Sequence, residues 1–359
     1  MNSFVKYFFN WTGGGGGSGL NLSMLLLFMP LVVFQLAMMP VMAVETETEG
    51  DDTWFMLPIN GEGASTMPRD NFMIQTHVDI SEYSNLIDPT PQFWLSGDEF
   101  KYKFRKITSV SEFRYGISEI VTLGARIRYA DAEGTNALNP NGLSNANASM
   151  GDTDLFLKLR FPNFSTPTDM ALTLGVEFPT GNIDETPVTG TGGVDMIMGL
   201  HLTSELHRGK IFGDLTYRFI RDYDVAANLR PEPRLQFADF MHVIDPRLAN
   251  TVNQTVDPGS EVFWNVGYVY PFTPQFRLCG EVTGIRGMVS RINSVNIEHS
   301  DYNWVFISPG LQYSPDSDFT IEGNVMIPVS DSVPFDQSVY SVDPSTDYWY
   351  RLGMKWHIR

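Results

Sequence analysis

The sequence predicts an all-β fold, namely a transmembrane antiparallel up-and-down β-barrel of about twelve strands. Three observations predict this class: few charged and many aromatic residues, an alternation of apolar and polar residues with a period of two, and connections that are alternately short and long. Charged residues make up 18% of the 359 residues, against about 25% in an ordinary soluble domain. After residue 44 the chain has no apolar run of membrane-helix length. A bundle of membrane helices is therefore excluded, whereas a barrel is not.

The charge balance and the cysteine content exclude several other classes. The formal net charge of −18 argues against nucleic acid as a partner. The single cysteine, Cys279, cannot form an intramolecular disulfide or a cysteine-based zinc cluster. Gly190, Thr191, Gly192 and Gly193 look like a phosphate-binding loop, but no Lys-Ser or Lys-Thr pair follows them. We therefore expect no cofactor and no metal ion.

The N-terminal region is predicted to be an export signal. Residues 24–34 form an apolar stretch of signal-peptide length, and small or β-branched residues precede a cleavage site after Ala43. The alternative is a retained membrane helix, which Pro30 and Pro40 would break. We expect residues 1–43 to be a signal peptide that directs the chain to the outer membrane of a bacterium.

Two parts of the chain are expected after cleavage. Residues 44–69 begin with an acidic tract and contain an apolar cluster, Trp54 to Leu57, that would be exposed in the periplasm. We expect this segment either to lie in the periplasm or to fold into the bore as a plug, and the apolar cluster favours partial occlusion. Residues 70–359 are predicted to form the outer-membrane barrel.

The alternation gives twelve strands, each of a length that crosses a bilayer when tilted. The predicted strands are 71–81, 104–117, 120–130, 152–162, 169–179, 193–205, 210–222, 260–271, 275–286, 303–313, 319–329 and 347–359. In the fourth of these, Leu155 and Phe161 share the apolar face, while Lys158 lies on the other. An Arg or Lys facing lipid near mid-bilayer costs about 2 to 4 kcal/mol, so the charged face is assigned to the lumen.

The lengths of the connections choose between a membrane barrel and a soluble sandwich. Connections after even-numbered strands are short, for example 118–119 and 314–318, and those after odd-numbered strands are long, up to 223–259. All tight turns then lie at one rim and all long loops at the other, as in outer-membrane barrels with both termini on the periplasmic side. A soluble Greek-key sandwich has no reason to sort its loops in this way.

Sixteen charged residues have the parity of the lumen. These candidate pore-lining residues are Arg126, Arg128, Asp152, Asp154, Lys158, Arg160, Glu177, Asp195, Asp214, Arg218, Glu261, Arg277, Glu281, Glu322, Arg351 and Lys355. Rings of charge would select among solutes in a narrow bore, whereas pairs of opposite sign would satisfy one another and serve the fold alone. Arg126 and Arg128 face the acids of the fourth strand and are the best candidates for such pairs. No catalytic, cofactor-binding or metal-binding residue is assigned.

One stretch departs from the alternation. Phe100 and Phe104 have one parity, and Phe113 and Tyr115 have the other. A β-bulge shifts parity by one residue. We therefore expect a bulge near residues 105–107 or a strand that starts later.

Several short motifs lie between residues 112 and 222. They are Arg-Tyr-Gly-Ile-Ser-Glu at 114–119, Gly-Asp-Thr-Asp-Leu-Phe-Leu-Lys-Leu-Arg-Phe at 151–161, Gly-Val-Glu-Phe-Pro-Thr-Gly at 175–181 and Gly-Thr-Gly-Gly-Val-Asp at 190–195. In these motifs the chain resembles the outer-membrane family called "putative MetA-pathway of phenol degradation", also described as transporters. The resemblance implies an outer-membrane barrel that passes aromatic or other apolar small molecules.

The partners expected for such a barrel are outer-membrane lipids and lipopolysaccharide, a small-molecule solute, and the barrel assembly machinery. That machinery usually reads a terminal aromatic residue, and here Trp356 lies three positions before the terminal Arg359. We expect Trp356 and Ile358 to take that role.

Passive passage of small solutes is the function that these observations favour. The alternative is a plugged surface barrel whose extracellular loops mediate binding or have a structural role. An enzyme is not expected, because the six histidines are scattered and no His-Glu-x-x-His or Gly-x-Ser-x-Gly sequence occurs.

Overall fold

A computed structural model of the chain describes residues 57–88, 100–135, 144–165, 167–181, 190–206, 208–226, 253–257, 259–289, 291–296, 301–332 and 341–359. The expected signal peptide and the acidic tract that follows it lie outside these residues. In the described part of the chain, no helix is long and apolar enough to span a membrane.

The described residues form seventeen strands. They are β1 (Phe72–Asp88), β2 (Phe100–Ser118), β3 (Val121–Thr135), β4 (Ser144–Met150), β5 (Thr153–Ser165), β6 (Thr168–Phe178), β7 (Asp195–Leu206), β8 (Gly209–Phe219), β9 (Tyr223–Ala226), β10 (Asn253–Asp257), β11 (Glu261–Pro271), β12 (Phe276–Gly287), β13 (Arg291–Ile292), β14 (Val295–Asn296), β15 (Tyr302–Tyr313), β16 (Phe319–Ser332) and β17 (Ser341–Ile358).

Thirteen of these strands make one closed sheet. Its order is β2-β1-β17-β16-β15-β12-β11-β8-β7-β6-β5-β3-β4, and the pairing of β2 with β3 closes it. Strands β4 and β5 pair with successive parts of β3, so the two together make a single crossing of the wall. All neighbours are antiparallel, as between β1 and β17. The predicted class, an antiparallel barrel with twelve crossings, is confirmed.

The two ends of the barrel differ as the connection lengths predicted. One end, the turn rim, carries the short turns, such as the pair Glu119 and Ile120 between β2 and β3, and the ends of the wall at Phe72 and Ile358. The opposite end, the loop rim, carries the long connections. It also carries a small second sheet of order β14-β13-β10-β9.

The two faces of the wall also agree with the predicted parity. On β5, Leu155 is 48% exposed and Phe161 43%, whereas Asp154 and Lys158 have no exposed surface. Exposed apolar side chains recur at alternate positions on the other crossings, and Trp356 on β17 is among them. The outer surface is therefore an apolar belt and the inner surface is polar, as lipid outside and a polar lumen require.

The bulge expected near residues 105–107 is absent, and β2 starts earlier than predicted. Its pairing with β1 runs without a shift from Phe100 to Tyr115. Register shifts occur instead beside Gly116 on β2 and between Ser81 and Tyr83 on β1. The far part of β2 extends toward the loop rim, where neither face has to match lipid, so side-chain parity there is a poor guide to register.

Candidate functional site

The inner wall carries all sixteen charged residues that parity assigned to the lumen. Ten of them are buried and six are half-buried, and none belongs to the exposed outer set. Uncharged polar groups on the same wall are also covered: Asn265, Thr283, Ser308 and Gln312 have no exposed surface. A twelve-stranded wall is too wide for its own side chains to exclude water to this degree, so the bore is filled at this level.

The filling is a length of main chain, residues 57–69, which we call the lumen segment. Its backbone groups hydrogen-bond to three separate strands, at Gln312 of β15, Thr203 of β7 and Thr122 of β3, over 2.7 to 2.8 Å. The segment therefore crosses the bore from one side of the wall to the other. It then meets the turn rim, where the N–H of Asp70 donates to the carbonyl oxygen of Gly116 at 2.9 Å.

One carboxylate of the wall holds three successive backbone N–H groups of the lumen segment. Ile59 and Asn60 donate to the oxygens of Glu281 at 2.7 and 3.1 Å, and Gly61 donates at 3.3 Å. The side-chain amide of Asn265 donates to the same carboxylate at 2.8 Å. Hydrogen bonds to a charged acceptor are about twice as strong as neutral ones, so Glu281 is a principal attachment point of the segment.

The side chain of Glu62 is the charged centre of the lumen segment. Its carboxylate lies 3.1 Å from the guanidinium of Arg126, 3.5 Å from that of Arg114 and 3.2 Å from the ammonium of Lys158. Its backbone N–H donates to Asp214 at 2.9 Å. Glu62 thus attaches the segment through both its side chain and its main chain.

Charge sets the ionisation of this centre. Burial alone would raise the pKa of Glu62, but the charges of Arg114 and Lys158 outweigh burial and hold the pKa well below its ordinary value. Lys158 is fully buried and also donates to the carbonyl oxygen of Gly63 at 2.5 Å. The pair of Glu62 and Lys158 is therefore an ion pair inside the protein and not a surface contact.

Two glycines let the lumen segment approach the wall this closely. A Cβ added at Gly61 would lie 2.2 Å from a carboxylate oxygen of Asp214. One added at Gly63 would lie 2.9 Å from the ring of Phe212 and from the hydroxyl oxygen of Thr203. The sequence Gly-Glu-Gly therefore presents a carboxylate on a strip of backbone that fits against the wall.

A second charged cluster, the loop-side cluster, lies nearer the loop rim. Arg128 pairs with Asp154 at 2.7 Å and with Glu177 at 2.9 Å. Arg218 pairs closely with Glu177, and its other partners are Glu261 and Asp195, at 3.4 and 3.5 Å. Two arginines, one on β3 and one on β8, thus hold four carboxylates on β5, β6, β7 and β11. These groups satisfy one another as ion pairs. Arg126 joins the cluster through Asp154 at 3.1 Å.

Asp152 accepts hydrogen bonds from backbone N–H groups, whereas the charged residues of the loop-side cluster form ion pairs. It accepts hydrogen bonds from the backbone N–H groups of Gly181 and Thr191, at 2.9 and 2.6 Å, and so holds both ends of the connection between β6 and β7. Thr180 donates to the carbonyl oxygen of Gly151 at 2.8 Å. The motifs at 151–161, 175–181 and 190–195 therefore meet at one place in the fold.

The remaining candidates are spread over the wall, and among them Glu322 and Lys355 pair with each other at 2.7 Å. Their partners are Asp169 for Arg160, Ser314 for Arg277, Asp79 for Arg351 and Glu322 for Lys355. Two of them also reach the lumen segment: Arg351 donates to the carbonyl oxygen of Ile59 at 3.1 Å and Lys355 to that of Pro58 at 3.5 Å.

Parity reasoning missed several residues of the site. Glu112 and Arg114 alternate with Phe113 and Tyr115 on β2, so the parity rule could have found them had no bulge been expected. Glu62 could not be found in that way, because the lumen segment has no strand alternation. Its only signal is a charged residue between two glycines.

A hydroxyl, an imidazole and a carboxylate also lie in line on the inner wall. The hydroxyl oxygen of Thr173 is 2.8 Å from Nε2 of His201, and Nδ1 of His201 is 2.8 Å from Asp214. Hydrolases use such an order of groups. Here His201 is 2% exposed and Asp214 6%, and the lumen segment covers Asp214. This chain of hydrogen bonds orients the carboxylate that receives the N–H of Glu62.

Comparison with solved structures supports the fold. The chain resembles the COG4313 outer membrane channel from Pseudomonas putida F1, with a TM-score of 0.56 and 11% identity over 87% of this chain and 100% of that one. The translocator domain of the autotransporter NalP from Neisseria meningitidis gives a TM-score of 0.42, with 11% identity over 85% and 91% of the two chains. The P. putida toluene transporter TodX gives 0.40, with 10% identity over 81% and 90%.

The other comparisons concern sequence and metal ions. No curated protein matches the chain. Within the described residues, no group of three or more His, Cys, Asp or Glu side chains is arranged to hold a metal ion. One family matches residues 92–334, which is more than half of the chain. The chain therefore belongs to the family described as "Putative MetA-pathway of phenol degradation", as its motifs indicated.

Proposed function

We propose that this protein is an outer-membrane channel for the passive passage of small solutes, closed at rest by its lumen segment. One observation carries the proposal: residues 57–69 cross a twelve-stranded bore and are held there by hydrogen bonds and ion pairs to the inner wall. The apolar outer belt and the membership of a family of outer-membrane barrels support the location.

The attachment of the lumen segment is of a kind that can be broken without opening the wall. Every crossing pairs with two neighbours in the sheet, whereas the segment adds no strand to it. Four apolar side chains of the segment are buried, Leu57, Ile59, Ala64 and Met67, and Ile59 packs with Phe212, Val269 and Cys279. The remaining attachment is polar, so water or a polar solute can replace it group by group.

The solutes proposed are small, and aromatic or apolar compounds are the first to test. The family description names phenol degradation, and this name suggests a class of compound without identifying one. The polar inner wall admits a solute that also carries a polar or charged group. A plugged surface barrel whose loops mediate binding remains the competing function, and an enzyme is not proposed.

A reversible lock of the lumen segment tests the proposal. A Cβ at Gly63 would lie 2.9 Å from the side-chain oxygen of Thr203, and a disulfide needs about 3 Å between the Cβ of one cysteine and the sulfur of the other. The double variant Gly63→Cys/Thr203→Cys should therefore form a disulfide under oxidation. The reduced form of the same preparation is its matched control, and the single variant Thr203→Cys reports the effect of oxidation alone.

The measurement is the flux of small sugars, amino acids and aromatic acids into liposomes that hold the purified protein. We expect the reduced double variant to pass solutes and the oxidised form to lose that flux, with recovery on reduction. Equal flux in both forms would show that the lumen segment is not the gate. Absence of flux in every form, including the unmodified protein, would favour the surface barrel.

A further inference from the structure

The environment of Glu62 is a carboxylate site that the wall builds and the lumen segment occupies. Three cations of the wall converge there: Arg114 of β2, Arg126 of β3 and Lys158 of β5, which we call the cation triad. Each reaches the Glu62 carboxylate within 3.1 to 3.5 Å. The wall supplies the cations, but the carboxylate that they share comes from outside the wall.

The lysine of the triad takes its ion-pair partner from the lumen segment. Two carboxylates of the wall form ion pairs with its arginines: Glu112 pairs with Arg114 and Arg126, and Asp154 pairs with Arg126. A third, Asp214, acts on Lys158 from beyond ion-pair distance. Among the described residues, the one carboxylate within 4.0 Å of the Lys158 ammonium belongs to Glu62. When the lumen segment leaves, the Lys158 ammonium keeps no carboxylate within ion-pair distance among the described residues, and another anion can take that place.

The geometry of the site suits one planar carboxylate. One oxygen of Glu62 lies 3.1 Å from Arg126 and 3.5 Å from Arg114, and the other lies 3.2 Å from Lys158. The carboxylate thus bridges the guanidinium pair and the ammonium. A neutral amide of the same shape would turn an NH2 group toward a cation, so the site distinguishes a carboxylate from its amide.

The two arginines of the triad are held in place by the wall. The guanidinium carbons of Arg114 and Arg126 lie 5.8 and 5.6 Å from the ring centre of Phe156, within cation–π distance. Phe156 itself is 4% exposed and its ring covers Gly124. Because the wall fixes these arginines, the site binds an anion with less loss of side-chain entropy.

We propose that the cation triad is the solute-binding site of the channel, that it takes small organic carboxylates, and that Glu62 is an internal substitute for them. The inference rests on the proposed function, since it names the class of solute that a channel of this kind would pass. A carboxylate that enters the lumen replaces Glu62 at Arg114, Arg126 and Lys158, and the lumen segment is released without leaving the triad uncompensated.

Chemical rescue tests the site without depending on transport. The variant Glu62→Ala removes a CH2 group and a carboxylate, which together have the size of acetate. We expect its melting temperature to be below that of the unmodified protein, and acetate to raise it by more than it raises that of the unmodified protein. Acetamide and chloride at the same concentration should have little effect on the variant. The control is Glu205→Ala, which removes a glutamate that is 66% exposed at the turn rim.

Several outcomes would overturn the assignment. They are equal rescue by acetate and acetamide, rescue by chloride as large as that by acetate, and absence of rescue by acetate. If Glu62→Ala does not fold, Glu62→Gln preserves the shape of the side chain and removes its charge. Acetate should bind that variant about tenfold more tightly than the unmodified protein, and equal affinity would overturn the site.

Flux separates this inference from the proposed function. Rescue by acetate together with absence of flux in all forms would support the carboxylate site and overturn the channel. Flux that depends on the disulfide lock, but with equal rates for benzoate and benzamide, would support the channel and overturn the selection of carboxylates.

Discussion

Thr191 donates both its backbone N–H and its hydroxyl to the carboxylate of Asp152, at 2.6 and 3.0 Å. The same carboxylate receives the N–H of Gly181 at 2.9 Å. One aspartate at the break between β4 and β5 therefore closes both ends of the connection between β6 and β7. This contact accounts for the glycine that ends the motif at 175–181 and the one that begins the motif at 190–195, because a Cβ at Gly181 or Gly190 would overlap Asp152.

The first prediction concerns this anchor. In Asp152→Ala, the amides of Gly181 and Thr191 lose their acceptor, and their hydrogen exchange should accelerate about tenfold or more, since a buried hydrogen bond of this kind contributes about 1 to 3 kcal/mol. Exchange measured by NMR or mass spectrometry checks the result. The matched control is Asp316→Ala, because Asp316 also accepts two backbone N–H groups, in the turn between β15 and β16. Unchanged protection at both amides would contradict the anchoring role.

The second prediction tests the outer face. Leu174 lies in the middle of β6 and is 42% exposed, whereas Phe178 ends the same strand at the loop rim. Leu174→Arg should make folding into vesicles less favourable by about 2 to 4 kcal/mol, and Phe178→Arg by about 1 kcal/mol or less. The reason is that the cost of a lipid-facing charge falls with distance from the bilayer centre. Denaturant titration in vesicles measures both. Equal losses would mean that the membrane does not surround the middle of β6.

The third prediction tests the main-chain attachment of the lumen segment. Glu281→Gln leaves the N–H groups of Ile59, Asn60 and Gly61 with a neutral acceptor. Hydrogen bonds to a charged group contribute about 1.5 to 3 kcal/mol, so the segment should leave its site more often and flux should rise about tenfold. Liposome flux compares it with Glu205→Gln, whose glutamate is exposed. A flux no higher than that of the control would show that Glu281 does not hold the lumen segment in the bore.

The fourth prediction concerns close approach. Gly61→Ala places a Cβ 2.2 Å from a carboxylate oxygen of Asp214, so the lumen segment should no longer fit against the wall. We expect a lower melting temperature and a higher flux. Gly280→Ala is the control, because a Cβ there meets nothing within 4 Å. Equal melting temperatures and equal fluxes in the two variants would show that the segment tolerates a Cβ at position 61.

The wall of the barrel was predictable because lipid imposes a repeat on the sequence. Inside the bilayer each residue faces either lipid or lumen, so Leu155 and Lys158 are assigned from parity alone. Outside the bilayer this constraint ends. The side-chain pattern in the far part of β2 therefore predicted a bulge, although the pairing of β2 with β1 is regular there.

The lumen segment was harder to place. Its partners are distant in sequence: Glu62 bonds to Asp214 across 152 positions and Ile59 to Glu281 across 222. Most of its bonds use backbone groups, which every residue carries, so they leave no pattern of residue types. The apolar residues near Leu57 indicated occlusion, but the ion pairs of Glu62 could not be inferred from them.

The short tether between Glu62 and Asp70 has a quantitative consequence. Asp70 is fixed to Gly116 at the turn rim, so a released Glu62 stays close to the cation triad and competes for it as an intramolecular ligand. Short flexible tethers give effective concentrations on the order of millimolar. A free carboxylate would therefore open the bore only when it is abundant or when the rest of the molecule adds contacts of its own. In the proposed channel, the tether length would thus set a threshold: a scarce solute would leave the bore closed, and an abundant one would be admitted.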